Sequence, residues 1–243
     1  MGAMDTGDEA AKDNGAPEPE RTERIAGRLP SGRHGLPRAL VIDNQRRRIL
    51  DALAQAVAER GYADTTVADV IQIAGVSRKT FYEQFSDKND CFLAAYDEAV
   101  AQLLAGVEAA YRSKKRWPEA VIAAIDAFLT GLSAEPEFAR MALVEVIRAG
   151  DEALDRYYDA THSFAALLDE GRTDSPVAAD IPPSAAQATI GGIAAVIVER
   201  LRGGDSDVRP MLADLATFAL APYIGMAEAA REVAQAAPAA AEA

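Results

Sequence analysis

The sequence predicts an all-α protein of about nine helices, and three observations carry that prediction. Aromatic residues are only 6% of the chain, alanine-rich stretches place Leu or Ile at every third or fourth position, and no segment alternates β-branched and polar residues between turn signals. With 243 residues, 49% hydrophobic and 26% charged, the chain can bury the core of one or two domains.

Residues 1–20 are acidic, rich in Ala, Gly and Pro and without apolar periodicity, so they are expected to stay disordered. Arg21 to Arg38 sets five arginines among Gly, Pro and Ser, which reads as a flexible basic arm. The expected division is therefore a leader and arm over 1–42, a small helical domain over 43–88, a larger one over 89–237, and a disordered tail over 238–243.

The first helix is expected from Asp43, with Ile49, Leu50, Leu53 and Val57 on one face, and it stops at Gly61-Tyr62. Either of Thr65 and Thr66 can cap a short second helix, with Asp69 three residues after Thr66 as a capping box and Val67, Val70, Ile71 and Ala74 as its apolar side. Gly75 breaks the chain. Ser77 caps a third helix that keeps Phe81 and Phe85 inward and Arg78, Lys79, Thr80, Tyr82 and Gln84 outward. A long amphipathic helix follows over 88–113, and further helices are predicted over 117–133, 136–149, 151–171, 183–202 and 208–235, divided by prolines and glycines.

Charge is unevenly spread. The net charge of -13 divides into -5 over residues 1–20, +3 over 21–90 and -11 over 91–243, so only the segment with the two short helices is locally basic. Screening over about 8–10 Å hides the distant acidic surface, which leaves that segment able to attract phosphate. Arg78 and Lys79 suit guanine edges or phosphate, and Thr80 suits a thymine methyl. Arg33 and Arg38 of the arm are further candidates for DNA.

The run Thr65-Thr66-Val67-Ala68-Asp69-Val70 through Ala74-Gly75-Val76-Ser77-Arg78-Lys79-Thr80-Phe81-Tyr82, and on to Phe85 and Lys88, resembles the DNA-binding domain of the TetR family of regulators. The likeness covers roughly residues 43–95. It departs at Ile71, where a small alanine is usual and a wider helix crossing follows, and at Cys91, where a larger aliphatic side chain is common. The resemblance implies base contacts from Ser77 to Thr80 and phosphate contacts from Thr66, Tyr82 and Lys88.

It further implies that the remaining helices form a ligand-binding and dimerisation domain, and that the last two long helices of each subunit pair in a homodimer. Interface candidates are Ile190, Ala194, Ile197, Leu201, Leu215 and Phe218. For a ligand pocket the inward apolar candidates are Leu104, Val107, Phe128, Met141, Val144 and Phe164, with Glu145, Tyr157 and His162 as polar partners. The expected function is a repressor released from palindromic operator DNA by a small-molecule effector. A ligand-independent regulator and an activator are the alternatives, and an all-α enzyme is a remote one.

Other chemistry is poorly supplied. His34, His162 and Cys91 are the only imidazoles and thiol, and no Ser-His, Cys-His or Gly-rich phosphate motif accompanies them. Asp155, Asp159 and His162 lie at i, i+4 and i+7, yet without a second His or a thiolate nearby a solvated acidic face is the simpler account, so neither metal nor cofactor is expected. A lone cysteine, no secretory signal, and a longest apolar run (Ala188 to Val198) about half the ~20 residues of a membrane span lead to an expected cytoplasmic location.

Overall fold

A computed structural model describes residues 38–236, and among them all regular structure is helical. Helix α1 (Arg38–Arg60) starts five residues before the predicted position, so Arg38 is the first residue of a helix and not part of a flexible arm. The first fully buried residue is Ile49, so the opening turns leave little apolar periodicity in the sequence. Arg33 lies outside the described residues.

Helix α2 (Val67–Ala74) packs against α1 and α3 (Arg78–Tyr82) against α2, and α4 (Lys88–Arg112), also packed on α1, runs out into the larger layer of helices. There α5 (Trp117–Ala134) packs against α4, and α7 (Asp151–Asp169) packs against α8 (Ala185–Arg202). The predicted helix over 136–149 is broken. It consists of α6 (Pro136–Arg140), a π-helical turn (Met141–Glu145) and a 3-10 turn (Val146–Arg148). The predicted helix over 208–235 also divides, because Gly225 adopts φ +80° and separates α9 (Leu212–Ile224) from α10 (Met226–Ala236). That conformation is open to glycine and strained for other residues.

Two clusters of buried side chains organise the whole. Ile49, Leu53, Val57, Val70, Phe81 and Phe92 make the core of the three-helix head, and Met141, Val146 and Ala153 from the larger layer insert into the same cluster. The second cluster joins α4, α5, α7, α8, α9 and α10 around residues such as Leu129, Ile197, Leu220 and Tyr223. No helix among the described residues is long and apolar enough to cross a membrane.

Candidate nucleic-acid interface and ligand cavity

The predicted caps are in place. Thr66 Oγ1 accepts the Asp69 N–H at 3.3 Å, and Asp69 Oδ2 accepts the Thr66 N–H at 2.9 Å, closing the box at the start of α2. The Thr66 hydroxyl bond, ahead of the nearby Arg60, holds the Asp69 carboxyl below its ordinary pKa. At the other end Gly75 sits at φ +61°, its N–H bonded to Ile71 O at 2.9 Å, while the Arg48 guanidinium caps the Ala74 and Gly75 carbonyls from α1. The left-handed glycine turns the chain sharply, so α3 leaves at a steep angle to α2. Sequence reasoning missed Arg48, because a contact across 26 residues leaves no local signal.

Ser77 caps α3 by accepting the Thr80 N–H at 3.0 Å. Phe81 is fully buried and packs against Phe85, which leaves Ser77, Arg78, Lys79 and Tyr82 exposed on the other side. The Arg78 guanidinium stands 5.5 Å from the centre of the Tyr82 ring and within 3.4 Å of its hydroxyl, so the two present one surface. Lys79 is loosely paired with Glu83 at 3.7 Å, and Thr80 is half-buried behind it. Arg38 is exposed at the start of α1.

Lys88 is tied into the head. Its ammonium donates to Tyr62 O at 2.6 Å and Thr65 O at 2.8 Å and lies 4.1 Å from the Tyr62 ring centre, and burial lowers its pKa. Two of its three protons thus serve the corner between α1 and α2.

In the larger layer a cavity of about 100 Å³ lies among α4, α5, α6, α7, α8 and α9. Of the predicted pocket residues Val107, Phe128, Tyr157 and Phe164 line it, and Phe128 and Phe164 meet edge to face at 5.3 Å. Its hydroxyls come from Tyr96, Tyr111, Tyr157 and Thr161, and the phenols of Tyr96 and Tyr157 are pushed up by burial. The rest of the wall is hydrocarbon.

Five predicted pocket residues lie elsewhere. Leu104 packs on the core while its neighbour Leu103 takes the wall; Met141 is fully buried in the head cluster; Val144 is buried beside Leu143, which does line the space. Glu145 turns away altogether. Its Oε2 accepts the Tyr62 N–H at 3.0 Å and its Oε1 meets Arg148 at 3.1 Å. A Cβ on Gly61, at φ +83°, would come within 3.3 Å of that carboxylate, so the corner and the side chain fit only closely. His162 is exposed, with Gln187 at 3.1 Å, and neither it nor Asp155 and Asp159 belongs to a metal-binding group among the described residues.

The interface candidates need the same correction. Ile190 and Ala194 line the cavity, and Ile197, Leu201 and Leu215 are buried within their own chain, because the stripe that looked unpartnered in sequence faces α7, α9 and the π-helical turn. Phe218 alone is substantially exposed, at 48%, resting on Gly192. Around it Ala188, Gly191, Ala195 and Val196 form the outer face of α8.

Residues 49–95, the segment that builds this head, match the family model of bacterial regulatory proteins of the tetR family. In this segment the chain is similar to tetR-family regulators. It is 30% identical over 106 residues to the HTH-type transcriptional activator FasR of Mycolicibacterium smegmatis, an alignment covering 44% of this chain and 48% of that protein. The chain thus spans about half the length of that curated relative. Among solved structures, the fatty acid degradation regulator FadR of Bacillus halodurans superposes with a TM-score of 0.64 at 19% identity, over 72% of this chain and 97% of that one. FadR of Bacillus subtilis in complex with stearoyl-CoA gives 0.61 at 18% identity, over 72% and 98%. At these identities the two structures show the fold, a tetR-type head joined to a larger helical domain.

Proposed function

We propose that this protein is a cytoplasmic, homodimeric transcription regulator of the tetR family. It grips palindromic operator DNA with α3 of each subunit and releases it when an aliphatic effector enters the cavity. One observation carries the reading: the segment 138–146 serves both places. Phe138, Ala142 and Leu143 form cavity wall, while Met141 and Val146 bury in the head and Glu145 bonds to its α1–α2 corner. A ligand that displaces the wall therefore moves the base of the DNA-binding head.

The cavity supports one class of effector. A site needs roughly 10–15 Å³ to hold a water, and an apolar one stays dry and favours hydrocarbon. Space of about 100 Å³ with carbon walls suits an aliphatic chain, each buried methylene contributing about 0.8 kcal/mol. The stearoyl-CoA bound by the B. subtilis structural neighbour supports a long-chain acyl thioester as that effector. The reading assigns no catalysis to the cavity, whose wall offers phenols and one threonine hydroxyl.

Dimerisation is assigned to the exposed small-residue face of α8 with Phe218 from α9. Two heads must present their reading helices about 34 Å apart to reach successive major grooves, so a small rotation of one subunit is enough to lose the operator. Repression is the regulatory sign proposed. Activation is the second reading, favoured by the name of the M. smegmatis relative.

The test is selection of bound duplexes from random DNA, with and without stearoyl-CoA. Wild-type protein is expected to enrich an inverted repeat, and Arg78→Ala to relax one position of each half-site by about 1–3 kcal/mol of discrimination. An unchanged profile for that variant places the reading surface elsewhere. Ala124→Phe, which fills the cavity from α5, is expected to keep operator binding and lose the response to stearoyl-CoA. If the filled variant still responds, the effector binds outside the cavity.

A further inference from the structure

One turn beyond the end of the cavity lies a second recess of about 270 Å³, lined by Lys115, Arg116, Trp117, Gly171, Ser175 and their neighbours. The two spaces are in line. On α5 Val121 lines the cavity and Trp117 the recess; in α7 and the turn after it Leu168 and Gly171 do the same; at the end of α9 so do Ala219 and Ile224. Each pair is separated by three to five residues, so a wall about one helical turn, roughly 5.4 Å, divides them. Trp117, which lines the recess, packs its ring on Tyr223, centres 5.1 Å apart.

The recess differs from the cavity in charge. It sits under the loop Arg112-Ser113-Lys114-Lys115-Arg116, the densest run of cations in a region whose net charge is strongly negative. Arg112 is committed to Glu170 at 2.7 Å, and Arg116 to Glu119 at 3.1 Å and to Glu232. Lys114 and Lys115 are exposed and form no ion pair among the described residues. Trp117 Nε1 is one of two buried side-chain polar atoms without a hydrogen-bond partner among them. Buried donors are rarely left unsatisfied, and a ligand oxygen is one way to satisfy this one.

We propose that this recess is the headgroup subsite of the effector: Lys114 and Lys115 take the phosphates of a thioester whose acyl chain runs past Trp117 into the cavity. The proposal rests on the reading of the cavity as the effector site. It explains why cations stand free beside a carbon-walled space: a phosphate-bearing ligand is held at one end by charge and at the other by burial.

The test measures binding of three probes, stearoyl-CoA, free stearate and CoA alone, by calorimetry and by the fluorescence of Trp117, the chain's only tryptophan. Wild-type protein is compared with the surface double variant Lys114→Glu, Lys115→Glu. Charge reversal is expected to weaken stearoyl-CoA by about tenfold or more at low salt and to leave stearate within about twofold. Stearoyl-CoA, and not stearate, is expected to shift the tryptophan emission. Equal affinity of both proteins for stearoyl-CoA overturns the subsite and leaves the cavity reading standing. If neither stearate nor stearoyl-CoA binds the wild-type protein, the cavity reading falls and the subsite with it.

Discussion

Phe81→Ala is expected to abolish operator binding and to lower the melting temperature more than any substitution on the protein's surface. Phe81 is fully buried, meets Phe85 at 5.7 Å and Tyr82 at 5.3 Å, and is the anchor that sets which side of α3 faces outward. Truncating a buried phenylalanine costs about 3–5 kcal/mol, a large share of the roughly 5–15 kcal/mol that holds a domain folded. A five-residue helix, capped by Ser77, depends on the buried rings of Phe81 and Phe85 to keep Arg78 and Tyr82 facing outward. Circular dichroism through a thermal ramp, paired with operator titration, measures both effects. A variant that melts with the wild type and binds the same duplex shows that α3 is positioned by something other than its ring contacts.

The second large effect is expected at Glu145. Its side chain is 4% exposed and is the acceptor for the Tyr62 N–H, whereas Arg148 at its other oxygen is more than half exposed. In Glu145→Ala the arginine can return to water, but the amide of the corner is left without a partner at a cost of about 1–3 kcal/mol. The loss falls where the cavity wall meets the head. Typical coupling between two sites changes affinity by about 5–150-fold, and the alanine variant is expected to lose most of the effect of stearoyl-CoA on operator binding. Glu145→Gln keeps an oxygen for Tyr62 and is expected to retain most of it. Operator titrations with and without ligand for the three proteins decide the matter: an alanine variant with the full wild-type response removes Glu145 from the route.

The head was legible because its signals are local. Thr66, Asp69, Gly75 and Ser77 each specify a cap or a turn within three or four residues, and Phe81 and Phe85 repeat at helical spacing. The larger layer was legible as helices and much less as a site. An apolar stripe declares that it will be buried, without declaring against what: Ile197 and Leu215 face their own chain, Ile190 and Ala194 face the cavity, and Phe218 faces out. Leu103 and Leu104 differ by one position, about 100° around α4, and the sequence offers no reason to prefer one.

Glu145 is the clearest case of a misread residue. A carboxylate among apolar neighbours suggested a ligand contact, and the π-helical turn that aims it at the α1–α2 corner is invisible to a pattern that assumes 3.6 residues per turn. Its partner is 83 positions away. The partners of Lys88 were illegible for the same reason, since the carbonyls that bind it are 23 and 26 residues distant.

Cys91 is fully enclosed within α4, and burial pushes its thiol up to about 12, so at neutral pH it is protonated and shielded from reagents. It is also the chain's only cysteine. A thiol introduced at the exposed Glu83, just after α3, would therefore be the single labelling handle of the chain with Cys91 left in place. In the proposed dimer, paired spin labels there would read the distance between the two heads directly, in solution, as the effector is added.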